Sequence, residues 1–139
     1  MKNAARTLVL LAGCLLPSQA AEPRLSGARP VVEAIEYPSL QAAIDAVPRT
    51  GGMLRLPPGE FAITKPLVIR HEDFRLEGAG TATHIKNVNT NGQPALIIRS
   101  DAFDEKNPTQ RKPLWRVMLA NFRLIGTAKS GHGIEAIWV

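Results

Sequence analysis

The sequence contains a single cysteine, at position 14 of 139 residues. One thiol cannot form a disulfide within the chain, and it excludes a metal site built from several cysteines. Aromatic residues are also scarce, at 5% of the chain. Stability must therefore come mainly from the packing of aliphatic side chains, which the overall hydrophobic content of 45% permits.

Long apolar segments are lacking as well, and the apolar run near the N-terminus is short. Lys2 and Arg6 precede this run, Leu8–Leu16, and Ser18 and Ala20 follow it with the spacing of a cleavage site. This order is typical of a secretory signal peptide, and the run is too short for a permanent transmembrane helix. We therefore predict a signal peptide over residues 1–20 and a secreted or periplasmic protein without a membrane span.

Cleavage of the signal peptide would lower the formal net charge of +5 by two, because Lys2 and Arg6 would be lost. The remaining excess of positive charge is that of an ordinary solvated surface. Basic and aromatic residues are not clustered as they are in nucleic-acid-binding proteins, so no nucleic-acid partner is expected.

The N-terminal segment also allows a second interpretation, as the signal of a lipoprotein. Leu11-Ala12-Gly13-Cys14 is similar to the lipobox of bacterial lipoproteins, in which the cysteine becomes lipidated. The apolar run continues beyond Cys14 to the better-placed cleavage site at Ala20, which favours simple secretion. A membrane-anchored lipoprotein, lipidated at Cys14, is the alternative.

One short helix and many short strands are predicted after a flexible lead-in over residues 21–34. Apolar residues recur on one helical face from Leu40 to Val47, Ser39 can cap this helix, and Pro48 ends it. Further along, alternating apolar residues are separated by Gly, Pro and Asn turns, which indicates strands and no second helix of useful length. The predicted strands cover 53–56, 61–64, 67–69, 74–76, 83–85, 95–98, 117–119, 122–125 and 133–139.

A near-repeat suggests how these strands are arranged. Asp73–Gly78 and Asn121–Gly126 both read Asp/Asn-Phe-Arg-Leu-x-Gly. Asp and Asn tolerate left-handed backbone angles, so we expect bends with such angles at Asp73 and Asn121. Arg75 and Arg123 occupy equivalent positions in the two copies and could form a basic stripe, but an outward arginine on a strand usually supplies only the polar half of the alternation. A repeating unit of this kind favours a solenoid.

The N-terminal half also resembles a known superfamily. The segment Tyr37–Val47, then Gly51-Gly52, then Leu54–Phe61 with its Leu-Pro-Pro-Gly, and finally Phe74–Gly80 follow the order found in pectate-lyase-like proteins. The match is close over 37–85 and loose over 94–139. One departure is visible, because Ile35-Glu36-Tyr37 stands where many relatives carry Gly-Asp-Gly-x-x-Asp-Asp. This departure weighs against the polygalacturonase-like branch.

The resemblance implies an all-β fold, a right-handed parallel β-helix or solenoid whose short N-terminal α-helix caps its open end. Residues 35–139 would form this cap and the first coils, and the apolar end at Ile137-Trp138-Val139 favours a chain truncated at the C-terminus. We therefore expect the N-terminal fragment of an exported protein that acts on or binds polysaccharide, pectin-like or another acidic glycan. The alternative is a non-catalytic adhesin or surface scaffold.

The resemblance leaves the reaction open, since lyases, glycoside hydrolases, epimerases and non-enzymatic proteins share this fold. In the superfamily, the catalytic residues lie on middle coils. No catalytic, cofactor-binding or metal-binding residue is therefore assigned in this sequence, although Ca²⁺ could serve the full-length protein.

Several local groups could serve as sites, but each fits an ordinary structural role better. The carboxylates of the long loop could pair or bind Ca²⁺, but they are typical of a solvated loop. The three histidines are too scattered for a metal site, and they are expected at the surface or in turns. The glycines of residues 78–80 lack the lysine and the helix of a nucleotide-binding loop. The carboxylates and histidines in question are Asp101, Asp104, Glu105, His71, His84 and His132.

Overall fold

The computed structural model describes residues 28–101 and 112–139. The predicted signal peptide with Cys14 lies outside these residues, and so do Asp104 and Glu105. One α-helix is present among the described residues, α1 (Leu40–Ala46), together with two short 3-10 helices, Ala34–Glu36 and Gly80–Ala82. The strands are β1 (Val31–Glu33), β2 (Gly52–Arg55), β3 (Gly59–Ile63), β4 (Leu67–Ile69), β5 (Phe74–Glu77), β6 (Thr83–Asn87), β7 (Leu96–Arg99), β8 (Met118–Ala120), β9 (Arg123–Ile125) and β10 (Ile134–Ile137).

Helix α1 forms where the sequence predicts it. The Ser39 Oγ accepts a hydrogen bond from the Ala42 amide at 3.1 Å, which satisfies one amide of the first turn. Val47 then has extended angles and ends the helix. The apolar face is buried at Ala43 and Ile44, so packing holds a helix that is too short to be stable alone.

The strands form three parallel sheets. The first sheet has the order β1-β2-β5-β8, the second β3-β6-β9 and the third β10-β7-β4. Every strand pair is parallel, and from β2 onward each strand pairs with the third strand after it along the chain. Strand β1 lies within the predicted flexible lead-in, which is therefore structured at least over Val31–Glu33.

The predicted fold class is corrected by this arrangement. The sequence predicted a right-handed parallel β-helix, or solenoid, with a short N-terminal capping α-helix. The described residues instead form three separate short parallel sheets of four, three and three strands with few helices, and they do not close into such a solenoid. The prediction of short strands after a leading helix is confirmed.

The near-repeat that suggested regular coils is not in register. The two bends are left-handed as predicted, with φ of 55° at Asp73 and 58° at Asn121. However, Asp73 precedes β5 of the first sheet, whereas Asn121 precedes β9 of the second. The two copies therefore occupy different positions in the fold.

The same difference excludes the basic stripe that was the lesser alternative for Arg75 and Arg123. Arg75 pairs with Met118 in the first sheet, while Arg123 pairs with His84 in the second. The true counterpart of Asp73 is Arg116, which also has a left-handed φ of 58°. Its guanidinium Nη2 donates to the Asp73 carboxylate at 2.7 Å.

The core lies between the three sheets and under α1. Along β5, Phe74 and Leu76 are fully buried while Arg75 and Glu77 are not, which is the alternation expected of a strand with one buried face. The other large, fully buried apolar side chains are Ile44, Leu54, Leu56, Ile69, Ile85 and Leu96.

A column of bends fixes where the strands of the first sheet begin. Gly51, with φ of 99°, lies directly beneath Asp73, and a Cβ at Gly51 would stand 2.5 Å from the Asp73 Cβ and 2.8 Å from its carbonyl oxygen. Gly92 also has a positive φ, of 69°, but it has open space around it. A comparison of alanine substitutions at these two glycines therefore separates the effect of backbone strain from that of steric crowding.

We expect Gly51→Ala to lower the free energy of unfolding by about 3 kcal/mol, because left-handed strain and overpacking both act there. Gly92→Ala should lower it by about 1 kcal/mol, since strain alone acts. Urea unfolding followed by circular dichroism measures both changes. Equal losses in the two variants would contradict the stacking of Gly51 beneath Asp73.

Candidate functional site

A groove lies between α1 and the third sheet, with a volume of about 470 Å³. We call it the histidine groove, after the one histidine in its wall. Its lining residues are Gln41, Asp45, Val47, Arg49, Pro66, Val68, Arg70, His71 and Asp101.

Gln41 holds the helix wall of the groove against the sheet. Strand β4 is the edge of the third sheet, so its outer backbone groups need partners. The Gln41 side chain supplies them, because its Oε1 accepts from the Val68 amide at 2.8 Å and its Nε2 donates to the Val68 carbonyl at 3.1 Å. The same Nε2 donates to Asp45 at 2.9 Å. The amide therefore mimics a neighbouring strand and fixes Asp45 in the groove wall.

The opposite wall is built from the ends of two neighbouring strands. Strands β4 and β7 are parallel and pair Ile69 with Ile98. Their carboxyl ends meet at the same edge of the sheet, so Arg70 and His71, which follow β4, come near Asp101, which follows β7. The parallel register thus brings together residues that are about thirty positions apart.

Two arginines hold the Asp101 carboxylate. Arg49 Nη1 donates to Oδ2 at 2.9 Å, and Arg70 Nη1 lies 3.4 Å from Oδ1. The hydrogen bond from Arg49 is the main reason that the pKa of Asp101 is lowered from its usual value, and the charges of both arginines add to it. Asp101 is therefore ionised at neutral pH and orients both guanidinium groups toward the groove.

His71 is partly buried beneath these arginines. Its ring makes an edge-on contact with Phe74, with centroids 5.0 Å apart. The Nε2 atom is buried and has no hydrogen-bond partner among the described residues. Burial lowers the pKa of His71, and the Arg49 charge lowers it further, against the opposing effect of Asp45 and Asp101. His71 is therefore neutral at pH 7.

A smaller depression of about 200 Å³ continues from the histidine groove. We call it the lysine depression. It shares Arg49, Arg70 and His71 with the groove, so the two form one continuous surface. Its remaining lining residues are Glu72, Ser100, Lys112, Pro113 and Leu114.

The combined surface carries both signs of charge in equal number. Arg49, Arg70 and Lys112 contribute positive charge, while Asp45, Glu72 and Asp101 contribute negative charge. Carboxylates, an amide and guanidinium groups can together donate hydrogen bonds to, and accept them from, a ligand that is rich in hydroxyl groups. Within residues 28–101 and 112–139, no group of three His, Cys, Asp or Glu side chains is arranged to hold a metal ion.

The sequence predicts histidines at the surface or in turns, and His71 does lie in the bend between β4 and β5, although its Nε2 atom is buried. His132 is exposed, and the His84 ring bonds to the Thr81 carbonyl at 2.7 Å. Asp101 is exposed in a turn, as expected for a solvated loop, and it also lies in the wall of the groove. The sequence does not single out Gln41, Asp45, Arg49 or Arg70. Gln41 and Asp45 are neighbours on α1, but their approach to Arg70 depends on how the helix packs on β4, which no local pattern reveals.

The lowered pKa of His71 predicts a pH dependence of folding. Between its folded pKa and the usual value of about 6.5, only the unfolded chain binds the proton, so stability falls as the pH falls through this range. We expect thermal unfolding to show this loss as the pH falls through about 6.5 and below. His71→Gln should reduce the loss, whereas His132→Gln should leave it unchanged. An identical loss in all three proteins would contradict the assignment to His71.

Comparison with known protein families and with curated proteins found no match. Among solved structures, ORF18 of Geobacillus virus E2 is similar, with a TM-score of 0.57 and 24% sequence identity. The match covers 68% of this chain and 20% of that one, so this chain spans about a fifth of its length. The likeness shows a shared fold. Within the part of the chain that is described, no helix is both long and apolar enough to cross a bilayer.

Proposed function

We propose that this chain belongs to an exported protein that binds an acidic polysaccharide, and that the histidine groove is its binding site. The observation that carries the proposal is the pair of guanidinium groups, Arg49 and Arg70, held side by side on Asp101. Planar guanidinium groups pair with carboxylates through two parallel hydrogen bonds, which suits a uronic acid.

Both arginines have guanidinium N–H donors that do not contact Asp101. Each guanidinium has five N–H donors, and Asp101 contacts only Nη1 of each. The contact from Arg70 is long, at 3.4 Å. A ligand carboxylate could therefore bind Arg70 while Asp101 keeps its shorter bond from Arg49. Gln41 and Asp45 then offer an amide and a carboxylate to the sugar hydroxyls.

The sequence also supports the binding of an acidic glycan. A signal-peptide pattern over residues 1–20 favours export, where extracellular polysaccharides are met. The resemblance of residues 37–85 to pectate-lyase-like proteins favours a pectin-like glycan. The proposed role is binding, and no catalytic residue is assigned.

We expect Arg70→Gln to weaken the binding of a polygalacturonate hexamer about tenfold, because a charge-assisted pair is lost. Isothermal titration calorimetry at low salt would measure this, with a neutral glucose hexamer as the comparison ligand. Added salt should weaken galacturonate binding more than neutral-sugar binding.

Arg123→Gln is the matched control, since it removes the same charge from an exposed position on the second sheet. It should bind the hexamer as the unmodified protein does. Equal losses in both variants would show a nonspecific effect of net charge. Failure of the unmodified protein to bind the galacturonate hexamer would overturn the proposal.

A further inference from the structure

The three sheets differ in how the edge nearest to helix α1 is completed. In the first sheet, β1 pairs with β2 as an additional strand. In the third sheet, the Gln41 side chain bonds to β4 as a strand would. In the second sheet, β3 is the edge strand, and within residues 28–101 and 112–139 no further strand lies beside it. The outer backbone groups of β3 therefore lack the partners that a strand would supply.

A groove of about 430 Å³ runs along this edge. We call it the β3 groove, and it is lined by residues 38–41, 61–65 and 67. Successive side chains of a strand point to opposite faces of its sheet. Since an unbroken run of residues from β3 onward lines the groove, the groove must follow the edge of the strand rather than one face of the sheet. The opposite wall is the segment in which helix α1 begins.

The parallel register shows which backbone groups of β3 face the groove. In a parallel pair, the amide and the carbonyl of one residue point to the same side of the strand, and the side alternates along the chain. The Ile63 carbonyl accepts from the Val88 amide at 2.9 Å, so the backbone groups of Ile63 point toward β6. Those of Ala62 consequently point away from β6, along the edge that the groove follows. They offer one donor and one acceptor to an added strand.

The side chains around the β3 groove define the chemistry of a partner. Leu40 and Phe61 line it and are only partly buried, so apolar side chains that enter the groove would cover them. Among the described residues of the lining, Lys65 alone is charged, and it is exposed. An acidic side chain on the partner would complement this charge.

We propose that β3 binds an extended peptide segment of a partner protein, which adds a strand to the open edge of the second sheet. Alternate side chains of this segment are apolar and cover Leu40 and Phe61, and an acidic residue beside them pairs with Lys65. A helical partner does not fit, because its backbone groups are already bonded to one another. The site is independent of the proposed glycan binding, although Gln41 lines both grooves.

The test uses a set of fluorescein-labelled hexapeptides in which valine, isoleucine or phenylalanine alternates with threonine and one aspartate. Fluorescence anisotropy measures their binding to the whole chain. Phe61→Ala should weaken binding about tenfold, because an apolar contact in the groove is lost. Lys65→Glu should weaken it about fivefold through repulsion of the aspartate. Lys129→Glu is the matched control, since it makes the same charge change at an exposed position between β9 and β10, and it should leave binding unchanged.

The backbone contact has a readout of its own in amide hydrogen exchange. In the free protein, the Ala62 amide should exchange rapidly, whereas the Val88 amide, which is bonded to Ile63, should be protected. Bound peptide should protect the Ala62 amide and leave the Val88 amide as it was. N-methylation of alternate peptide residues should abolish binding in one frame and preserve it in the other, because only one set of peptide amides faces β3.

The outcomes decide the proposal separately from glycan binding. Protection of the Ala62 amide, together with weaker binding in Phe61→Ala and Lys65→Glu, supports an added strand. The proposal is overturned if no member of the peptide set binds, if the Ala62 amide stays unprotected, or if Lys129→Glu weakens binding as much as Lys65→Glu does. Circular dichroism of each variant confirms that folded proteins are compared. Since none of these variants changes Arg70, failure here leaves the histidine groove proposal standing.

Discussion

The structure depends on a column of backbone bends that sets the register of the first sheet. Gly51, Asp73 and Arg116 all have positive φ and stand one above the next. The Gly52 amide donates to the Asp73 carbonyl at 3.1 Å, and the Asp73 amide donates to the Trp115 carbonyl at 3.0 Å. Asp73 also accepts from Arg116 through its carboxylate. Since side chains alternate along a strand, a shift of one residue at any bend would turn the buried face of the following strand outward.

The same register builds the candidate site. Parallel pairing of β4 with β7 places the residues after each strand at one edge of the third sheet. Helix α1 packs along the outer side of β4, and the Gln41 amide bonds to this strand as a further strand would. The groove therefore arises where the helix, two strand ends and the turn with Arg49 meet. Asp101 links the arginines, while burial together with the charge of Arg49 lowers the pKa of His71 and keeps it neutral.

The sequence predicts what depends on near neighbours along the chain. The Ser39 cap, the left-handed angles at Asp73 and Asn121, and the buried alternation of β5 all follow from local chemistry. It does not predict what depends on register. Asp73 and Asn121 carry the same motif but enter different sheets, so similarity of sequence suggested an equivalence that the pairing excludes. The sequence also does not predict the proximity of Arg49, Arg70 and Asp101, because this proximity depends on the pairing of β4 with β7.

The central claim is that the arginine pair on Asp101 receives the carboxylate of an acidic glycan. A crystal structure of the chain with a galacturonate hexamer tests it most directly. We predict a sugar carboxylate within about 3 Å of the Arg70 guanidinium, with Asp101 still bonded to Arg49. A hexamer bound elsewhere on the protein, or one whose carboxylates all face solvent, would contradict the account.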